Sequence, residues 1–365
     1  MHIMASKTFN VGVVGYGLAA KVFHIPFILK TPQFNLYSIV QRNPTIGDSA
    51  PDDYPNLRHY RDFKDLLADT NVDVVVVTTP PNHHFTMTKD ALEAGKHVLT
   101  EKPFVPTARE ADELDAVAKK TGRLLCIYQN RRWDSDFLIL KHLLSRGDLG
   151  RIVEFNTHYD RYQASPSGGW RAGLGIVDGG SVLYDLGPHL IDQVYTLFGM
   201  PKSVHGRLIS QRDGALDLHT PDNFYAQLVY PNGMLVHIRV SSLSAEVDQP
   251  RYWVRGTQGS FHKKRVDPQE DQLKDGMTSA DPGFGTESPG NFHLVVVGDD
   301  GKLKEVSIPD LVPETYQALY NKFGRAVESG KEEEVPVKAS QARDVLMIIE
   351  AIQESARTGK DVFIS

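Results

Sequence analysis

The chain has 365 residues, 41% of them hydrophobic, with 40 Lys and Arg against 46 Asp and Glu and a formal net charge of −6. That is enough apolar material for two or three packed domains. There is no basic run of the kind nucleic acid requires, and no uncharged apolar stretch of about 18 residues that would cross a membrane. The single cysteine, Cys126, forms no intrachain disulfide, and without a Cys/His cluster no metal site is expected. Residues 1–6 lack the charged-then-apolar pattern of a signal peptide. The expectation is a soluble, cytoplasmic protein with a small-molecule ligand and with neither nucleic-acid nor membrane partners.

In chain order, Phe9–Val14 reads as a buried strand that runs into Gly15-Tyr16-Gly17-Leu18-Ala19-Ala20. This G-x-G-x-x-A is a variant of the dinucleotide fingerprint, here placed between a strand and a helix spanning 21–29. Gly15 permits the turn, Gly17 lets a pyrophosphate approach the backbone, and Ala20 allows close packing of helix on strand. Leu18 lies inside the same turn, and the helix start offers free N–H groups to phosphates. The next strand, 36–40, ends in Gln41-Arg42-Asn43, with no acid between Val40 and Ile46 to accept from ribose hydroxyls. Arg42 offers a guanidinium suited to an adenosine 2′-phosphate, so NADP(H) is expected ahead of NAD(H).

The run 72–79 is apolar enough to be a parallel strand buried on both faces. It stops at Thr79-Pro80-Pro81-Asn82-His83-His84, where Thr79, Pro80, Asn82 and His84 are candidates to line the cofactor groove. Helix capping by Asn82 and simple packing of His84 are equally compatible with the pattern. A fourth strand, 95–99, delivers Thr100-Glu101-Lys102-Pro103 at a carboxyl end, where ligands of open α/β sheets bind. Lys102 there can hydrogen-bond a substrate hydroxyl and share its proton, and Glu101 and Lys102 are both candidates to meet the cofactor. The spacing then predicts an amphipathic helix over 108–121 and a strand over 124–128.

Beyond residue 128 the pattern changes. A helix is expected over 137–146 and a strand over 151–162, followed by a Gly/Ser-rich loop from Ser165 to Gly180. Asp185 and His189 stand four apart on either side of Gly187-Pro188, a spacing that sets an acid against an imidazole if the turn stays helical. A helix salt bridge is the competing explanation. From residue 203 strands dominate, with hairpins at Pro231-Asn232-Gly233 and Asp299-Asp300-Gly301. The stretch 266–291, rich in Gly, Pro and charge, is expected to be a surface excursion. Helices over 313–329 and 340–358 close the chain, linked by the solvated Glu332-Glu333-Glu334.

The order GxGxxA, EKP, then D-x-x-x-H after a Gly-rich loop resembles the Gfo/Idh/MocA oxidoreductases from about Lys7 to the end. Tyr128–Asp134, Gly169–Arg171, Asp185–Gln193 and Arg255–Phe261 are similar to the NADP-using branch that includes bacterial scyllo-inositol dehydrogenases. The resemblance implies a Rossmann doubly wound parallel sheet over 7–128. It implies a substrate-binding and oligomerising α+β domain with a large, open, mostly antiparallel sheet over 129–365. It implies Lys102, Asp185 and His189 as catalytic groups, Trp170 and Arg171 near the cofactor, and His24, Asn130, Arg132, Tyr159 and Arg161 with His189 near the substrate. The implied activity is NADP(H)-dependent hydride transfer at a C–OH or C=O carbon of a polyol, cyclitol or sugar, by a homodimer or tetramer. Reduction of an imine or enone of a secondary metabolite, or non-catalytic sensing of NADP(H), are the alternatives.

Overall fold

The computed structural model describes residues 7–166, 168 and 173–364, which divide into two units. The first contains the chain through Asn130 together with Asp271–Pro282 and Thr315–Arg343. Its centre is a parallel sheet of six strands: β1 (Phe9–Val14), β2 (Phe34–Val40), β3 (Arg58–Tyr60), β4 (Val74–Val77), β5 (His97–Thr100) and β6 (Leu125–Ile127). Their order is β3-β2-β1-β4-β5-β6, so the sheet reverses its winding between β1 and β4. A crevice at the carboxyl ends of such a reversal is where open α/β sheets bind ligands. Val74 to Val77 are all buried, as expected of a strand covered on both faces. The helix Ala108–Thr121 starts at a capping box, in which Thr107 Oγ1 accepts from Glu110 N and the Glu110 carboxylate accepts from Thr107 N. It ends at Gly122 in the left-handed region, φ 64°.

The chain returns to this unit twice after leaving it. The helix Gln317–Ser329 buries Leu319, Tyr320 and Phe323, and Gln317 donates to Phe27 O and Thr31 Oγ1. Phe323 sits edge-on to Phe34, 5.9 Å between centroids. Farther on, Ile127 N donates to Val337 O, extending the β6 edge. The first unit is therefore completed by residues about 200 positions beyond 128, where the fingerprint-bearing half ends in sequence terms.

The second unit holds Arg131–Glu270, Gly283–Glu314 and Asp344–Ser365. Its strands are β7 (Ile152–Asp160), β8 (Ser203–Ser210), β9 (Ala215–Leu216), β10 (Asn223–Val229), β11 (Leu235–Ser241), β12 (Pro250–Gly256), β13 (Gly259–Lys264), β14 (Phe292–Val297), β15 (Leu303–Val306) and β16 (Val362–Phe363). They form one sheet in the order β15-β14-β13-β12-β7-β11-β10-β8-β16, with β9 on β8. Only β7 and β11 run parallel; every other neighbouring pair is antiparallel. Along β10 and β11 buried residues alternate with partly exposed ones, so one face carries the core. The helices Ser181–Asp185 and Gly187–Phe198 lie on that face, with Leu183, Leu190, Ile191 and Val194 fully buried.

The stretch 266–291 is only in part a surface excursion. It contains the helix Gln269–Lys274, and Asp267 and Gln269 are wholly buried. Asp267 accepts from Ser135 N at 2.6 Å, and Gln269 Nε2 donates to Trp133 O at 2.9 Å. The polarity that suggests solvent here is spent on backbone groups of the helix Ser135–Arg146 and the turn before it. Among the described residues, no helix is long and apolar enough to cross a membrane.

Candidate active site

In the first unit the fingerprint turn behaves as its glycines demand. Gly15 has φ 102°, and a Cβ there would lie 2.8 Å from Thr78 Oγ1 and 3.1 Å from Thr78 O. Thr78 Oγ1 in turn donates to Val14 O at 2.9 Å, tying β4 to β1 at the winding reversal. Gly17 differs: a Cβ built on it meets nothing within 4 Å. Ala20 is fully buried, and the helical turn Ala19–His24 starts without a side-chain cap. The uncapped N–H groups and the open space over Gly17 are the features a pyrophosphate needs, and they fit a dinucleotide. Leu18 is 56% exposed beside them.

At the end of β2, Gln41 accepts from Ala50 N and donates to Asp48 O, holding the loop that carries the exposed Arg42. The acid of this loop, Asp48, is paired with Lys21 at 2.6 Å. At the end of β4, Thr79 and Pro80 are half-buried and Asn82 is exposed. Asn82 caps no helix, since neither the turn Pro81–His83 nor the helix His84–Glu93 has a side-chain cap. His84 is 1% exposed, and both its ring nitrogens face backbone carbonyls, Pro103 O at 2.8 Å and Thr79 O at 2.7 Å. Burial pushes its pKa down, while two acceptors favour the doubly protonated ring. His84 is thus a strut between the ends of β4 and β5, its nitrogens turned into the protein.

Two expected site residues turn into the interior. His24, expected near the substrate, is fully buried, with Nδ1 2.6 Å from Tyr320 Oη and Nε2 2.9 Å from Glu101 Oε1. Glu101, expected at the cofactor, is 8% exposed, and its Oε2 accepts from Lys102 N at 2.7 Å. Burial by itself would raise the Glu101 carboxyl, but the His24 hydrogen bond and nearby Lys102 hold it below the usual carboxylate range. The two side chains are buried for the same reason: each satisfies the other in a dry interior. Lys102 follows with partial exposure, and Asn130, 6% exposed, closes this unit's first segment.

In the second unit the helical spacing on either side of Gly187-Pro188 is carried by two helices. Ser181–Asp185 ends at Leu186, and Gly187–Phe198 begins with Pro188 in its first turn. Proline at the first helical positions needs no N–H partner, which is why the chain restarts there. Asp185 is thus the last residue of one helix and His189, 5% exposed, lies in the first turn of the next. Ser181, which opens the first of them, has φ 69°, an uncommon setting for a residue with a Cβ. The Asp185 carboxylate lies 3.6 Å from the Arg161 guanidinium.

Arg132 is engaged within this unit, donating Nε and Nη2 to Asp192 at 2.8 and 2.7 Å. Tyr159 Oη accepts from Arg131 Nη2 at 3.0 Å, and burial pushes its phenol up to about 12. Trp170 and Arg171 lie outside the described residues. Residues that sequence reading passed over hold His189's helix in place. Gln193 Oε1 accepts from Arg251 Nη2 at 2.6 Å and Tyr252 Oη at 2.7 Å, and Gln193 Nε2 donates to Arg131 O at 2.7 Å. The buried Arg251 in a strand was the one available sign, since arginine is rarely buried without partners.

A buried carboxylate cluster adjoins this network. Ligand atoms of Asp136, Asp267 and Glu287 all lie within 4.8 Å of one another. Lys263 Nζ stands 3.1 Å from Glu287 and 3.8 Å from Asp136, and Arg251 Nε 3.5 Å from Asp136. Burial first and Asp136 second push Asp267 and Glu287 each up to about 7. Two cations against three carboxylates favour a retained proton.

Comparison with known proteins matches this architecture at both ends. Residues 9–129 match the model described as "Oxidoreductase family, NAD-binding Rossmann fold", and 141–364 match "Oxidoreductase family, C-terminal alpha/beta domain". The chain is 34% identical to the scyllo-inositol 2-dehydrogenase (NADP(+)) IolW of Bacillus subtilis, covering 98% of this chain and 96% of that one. It is 39% identical to the oxidoreductase YdgJ of Escherichia coli, covering 96% and 97%. The solved structure of the oxidoreductase yvaA of Bacillus subtilis superposes with a TM-score of 0.89 at 32% identity, over 98% of this chain and all of that one. The chain belongs to the Gfo/Idh/MocA family of oxidoreductases.

Proposed function

We propose that this protein is an NADP(H)-dependent dehydrogenase of a cyclitol, polyol or sugar, acting at a C–OH or C=O carbon. The observation that carries the reading is Lys102 at the end of β5 in a sheet whose winding reverses beside an uncapped, glycine-opened helix start. A nicotinamide cofactor supplies the hydride chemistry. The chain supplies the rest. Gly15, Gly17, Leu18 and Ala20 seat the pyrophosphate, and Arg42 meets the 2′-phosphate, with Gln41 holding its loop. Lys102 and His189 handle the proton of the substrate hydroxyl, and Asp185 orients a partner for it. Asn130, Tyr159 and Arg161 contribute polar groups toward the substrate.

Similarity to a NADP(+)-linked scyllo-inositol 2-dehydrogenase supports both the cofactor and the substrate class. The partly exposed face of the ten-stranded sheet supports a homo-oligomer, most simply a dimer, and a cytoplasmic location accompanies NADP(H) use. The test is a screen of scyllo-inositol, other inositols, hexoses and dicarbonyls, with NADP and NAD separately, read at the nicotinamide absorbance. Turnover of a cyclitol or sugar with NADP preferred is expected. Binding of NADP(H) without turnover of any of them would replace this reading with a sensor.

A further inference from the structure

Lys102 is preceded by a buried carboxylate linked to two distant segments of the same unit, directly to one and through it to the other. His24 lies on the helical turn Ala19–His24 that follows the fingerprint, and Tyr320 on the late helix Gln317–Ser329. Three short contacts link them: Tyr320 Oη to His24 Nδ1 at 2.6 Å, His24 Nε2 to Glu101 Oε1 at 2.9 Å, and Lys102 N to Glu101 Oε2 at 2.7 Å. His24 and Tyr320 are fully buried, and the Tyr128 ring lies 4.3 Å from the imidazole, centroid to centroid. Tyr128 is itself fixed, donating its hydroxyl to Phe23 O at 2.7 Å.

The chemistry assigns the protons. An ionised carboxylate only accepts, so His24 Nε2 carries the hydrogen; in the neutral ring Nδ1 then accepts from the Tyr320 hydroxyl. Each member then presents one donor to one acceptor, and the last acceptor, Glu101 Oε2, takes the backbone N–H of Lys102. A neutral glutamine at 101 would keep the shape and lose the charge-assisted bonds at both of its oxygens. On the other side of the lysine, His84 grips the carbonyl of Pro103. The backbone of residues 101–103 is therefore held by one buried histidine before Lys102 and another after it.

We infer that His24, Glu101 and Tyr320 form a positioning relay that fixes the backbone of Lys102, so that the lysine reaches the substrate in one orientation. The relay rests on the proposed catalytic role of Lys102, but its geometry does not. None of its three residues touches the reacting atoms; they act through the lysine.

The test uses the full-length protein with His24→Leu, His24→Gln and Tyr320→Phe. Glutamine retains an N–H donor toward Glu101, and phenylalanine retains the packing of Tyr320 against Phe27 and Tyr128. The first measurement is hydrogen exchange of the Lys102 amide, which needs no substrate. It should accelerate roughly tenfold in His24→Leu and Tyr320→Phe and recover toward wild type in His24→Gln. The second is turnover, with NADP, of whichever screened cyclitol, hexose or dicarbonyl the wild type uses. There kcat should fall roughly tenfold, the worth of about one hydrogen bond, with KM and cofactor affinity within about twofold of wild type. Unchanged exchange in both disruptive variants overturns the relay. Faster exchange with unchanged kcat overturns its positioning role. A parallel loss of cofactor affinity and of melting temperature in all three reduces it to a structural contact. Absence of turnover in the wild type counts against the dehydrogenase reading, and the exchange measurement still decides the relay.

Discussion

Gly15 and Gly17, two residues apart in one turn, should fail in opposite ways when a side chain is added. At Gly15 the backbone has φ 102°, and a Cβ would press on the Thr78 carbonyl oxygen at 3.1 Å as well as on its hydroxyl at 2.8 Å. The left-handed setting costs roughly 1–2 kcal/mol for a residue with a Cβ. Overpacking against backbone that cannot rotate away adds roughly 1–3 kcal/mol. Gly15→Ala should therefore lose about 2–5 kcal/mol, which at roughly 2–4 °C per kcal/mol lowers the first unit's melting by about 4–20 °C. At Gly17 no atom lies within 4 Å of the built Cβ, and no positive φ is required. Gly17→Val should melt within about 2 °C of wild type, as surface substitutions do. Yet its isopropyl group fills the space assigned to the pyrophosphate, and NADP(H) affinity should fall at least about 100-fold, roughly 2.7 kcal/mol. Differential scanning calorimetry and titration calorimetry on the two variants check this. Wild-type NADP(H) affinity in Gly17→Val would refute the placement of the cofactor.

Cofactor choice follows from Arg42: Arg42→Asp should weaken NADP(H) by about 10- to 100-fold relative to NAD(H), measured by fluorescence titration with each, since a charge-assisted phosphate contact is worth roughly 1.5–3 kcal/mol. Lys102→Ala and His189→Ala should each lower kcat by roughly 10²–10⁴-fold with NADP(H) binding retained, and Asp185→Asn by less, read in steady-state assays across pH. Stability should also respond to the carboxylate cluster. Asp267 and Glu287 have folded-state pKa values of about 7, above their unfolded values, so the folded protein binds the extra proton. Their contribution is greatest below about pH 4 and is lost as pH rises to about 7, on the order of 3–4 kcal/mol for one such group. His97, pushed down to about 4 by burial and then Arg123, titrates with the opposite slope over part of this range. The difference between wild type and Glu287→Gln in urea melts from pH 5 to 8 isolates the cluster: the wild type should lose more stability over that interval, and identical slopes would count against a retained proton.

The architecture was legible wherever local pattern and long-range packing agree. Val74–Val77 reads as a doubly buried strand because four successive valines leave no polar face. The helix Ala108–Thr121 is written at both ends by Thr107, Glu110 and Gly122. The site was legible as residue types and less so as partners. His24 sits near the fingerprint in sequence, which suggests a ligand contact, but its hydrogen-bond partners are 77 and 296 residues away. Nothing in a local window announces such a pairing. The stretch 266–291 misled for a related reason: Asp267 and Gln269 are polar because they close the open hydrogen bonds of Trp133 and Ser135. Polar residues signal solvent only when no backbone group elsewhere requires them.

The double return of the chain to its first unit bears on how that unit can be made. During synthesis, β1 to β6 emerge some 200 residues before Tyr320, Phe323 and Val337, which cover Phe27 and Phe34 and extend the β6 edge. A fragment ending at Asn130 carries the whole fingerprint but leaves aromatic faces bare and His24 without its tyrosine. The nascent nucleotide-binding half therefore spends most of its translation with an unfinished core. That core is closed only after nearly all of the second unit has left the ribosome. Cofactor binding should thus mark completion of the chain rather than of its first third.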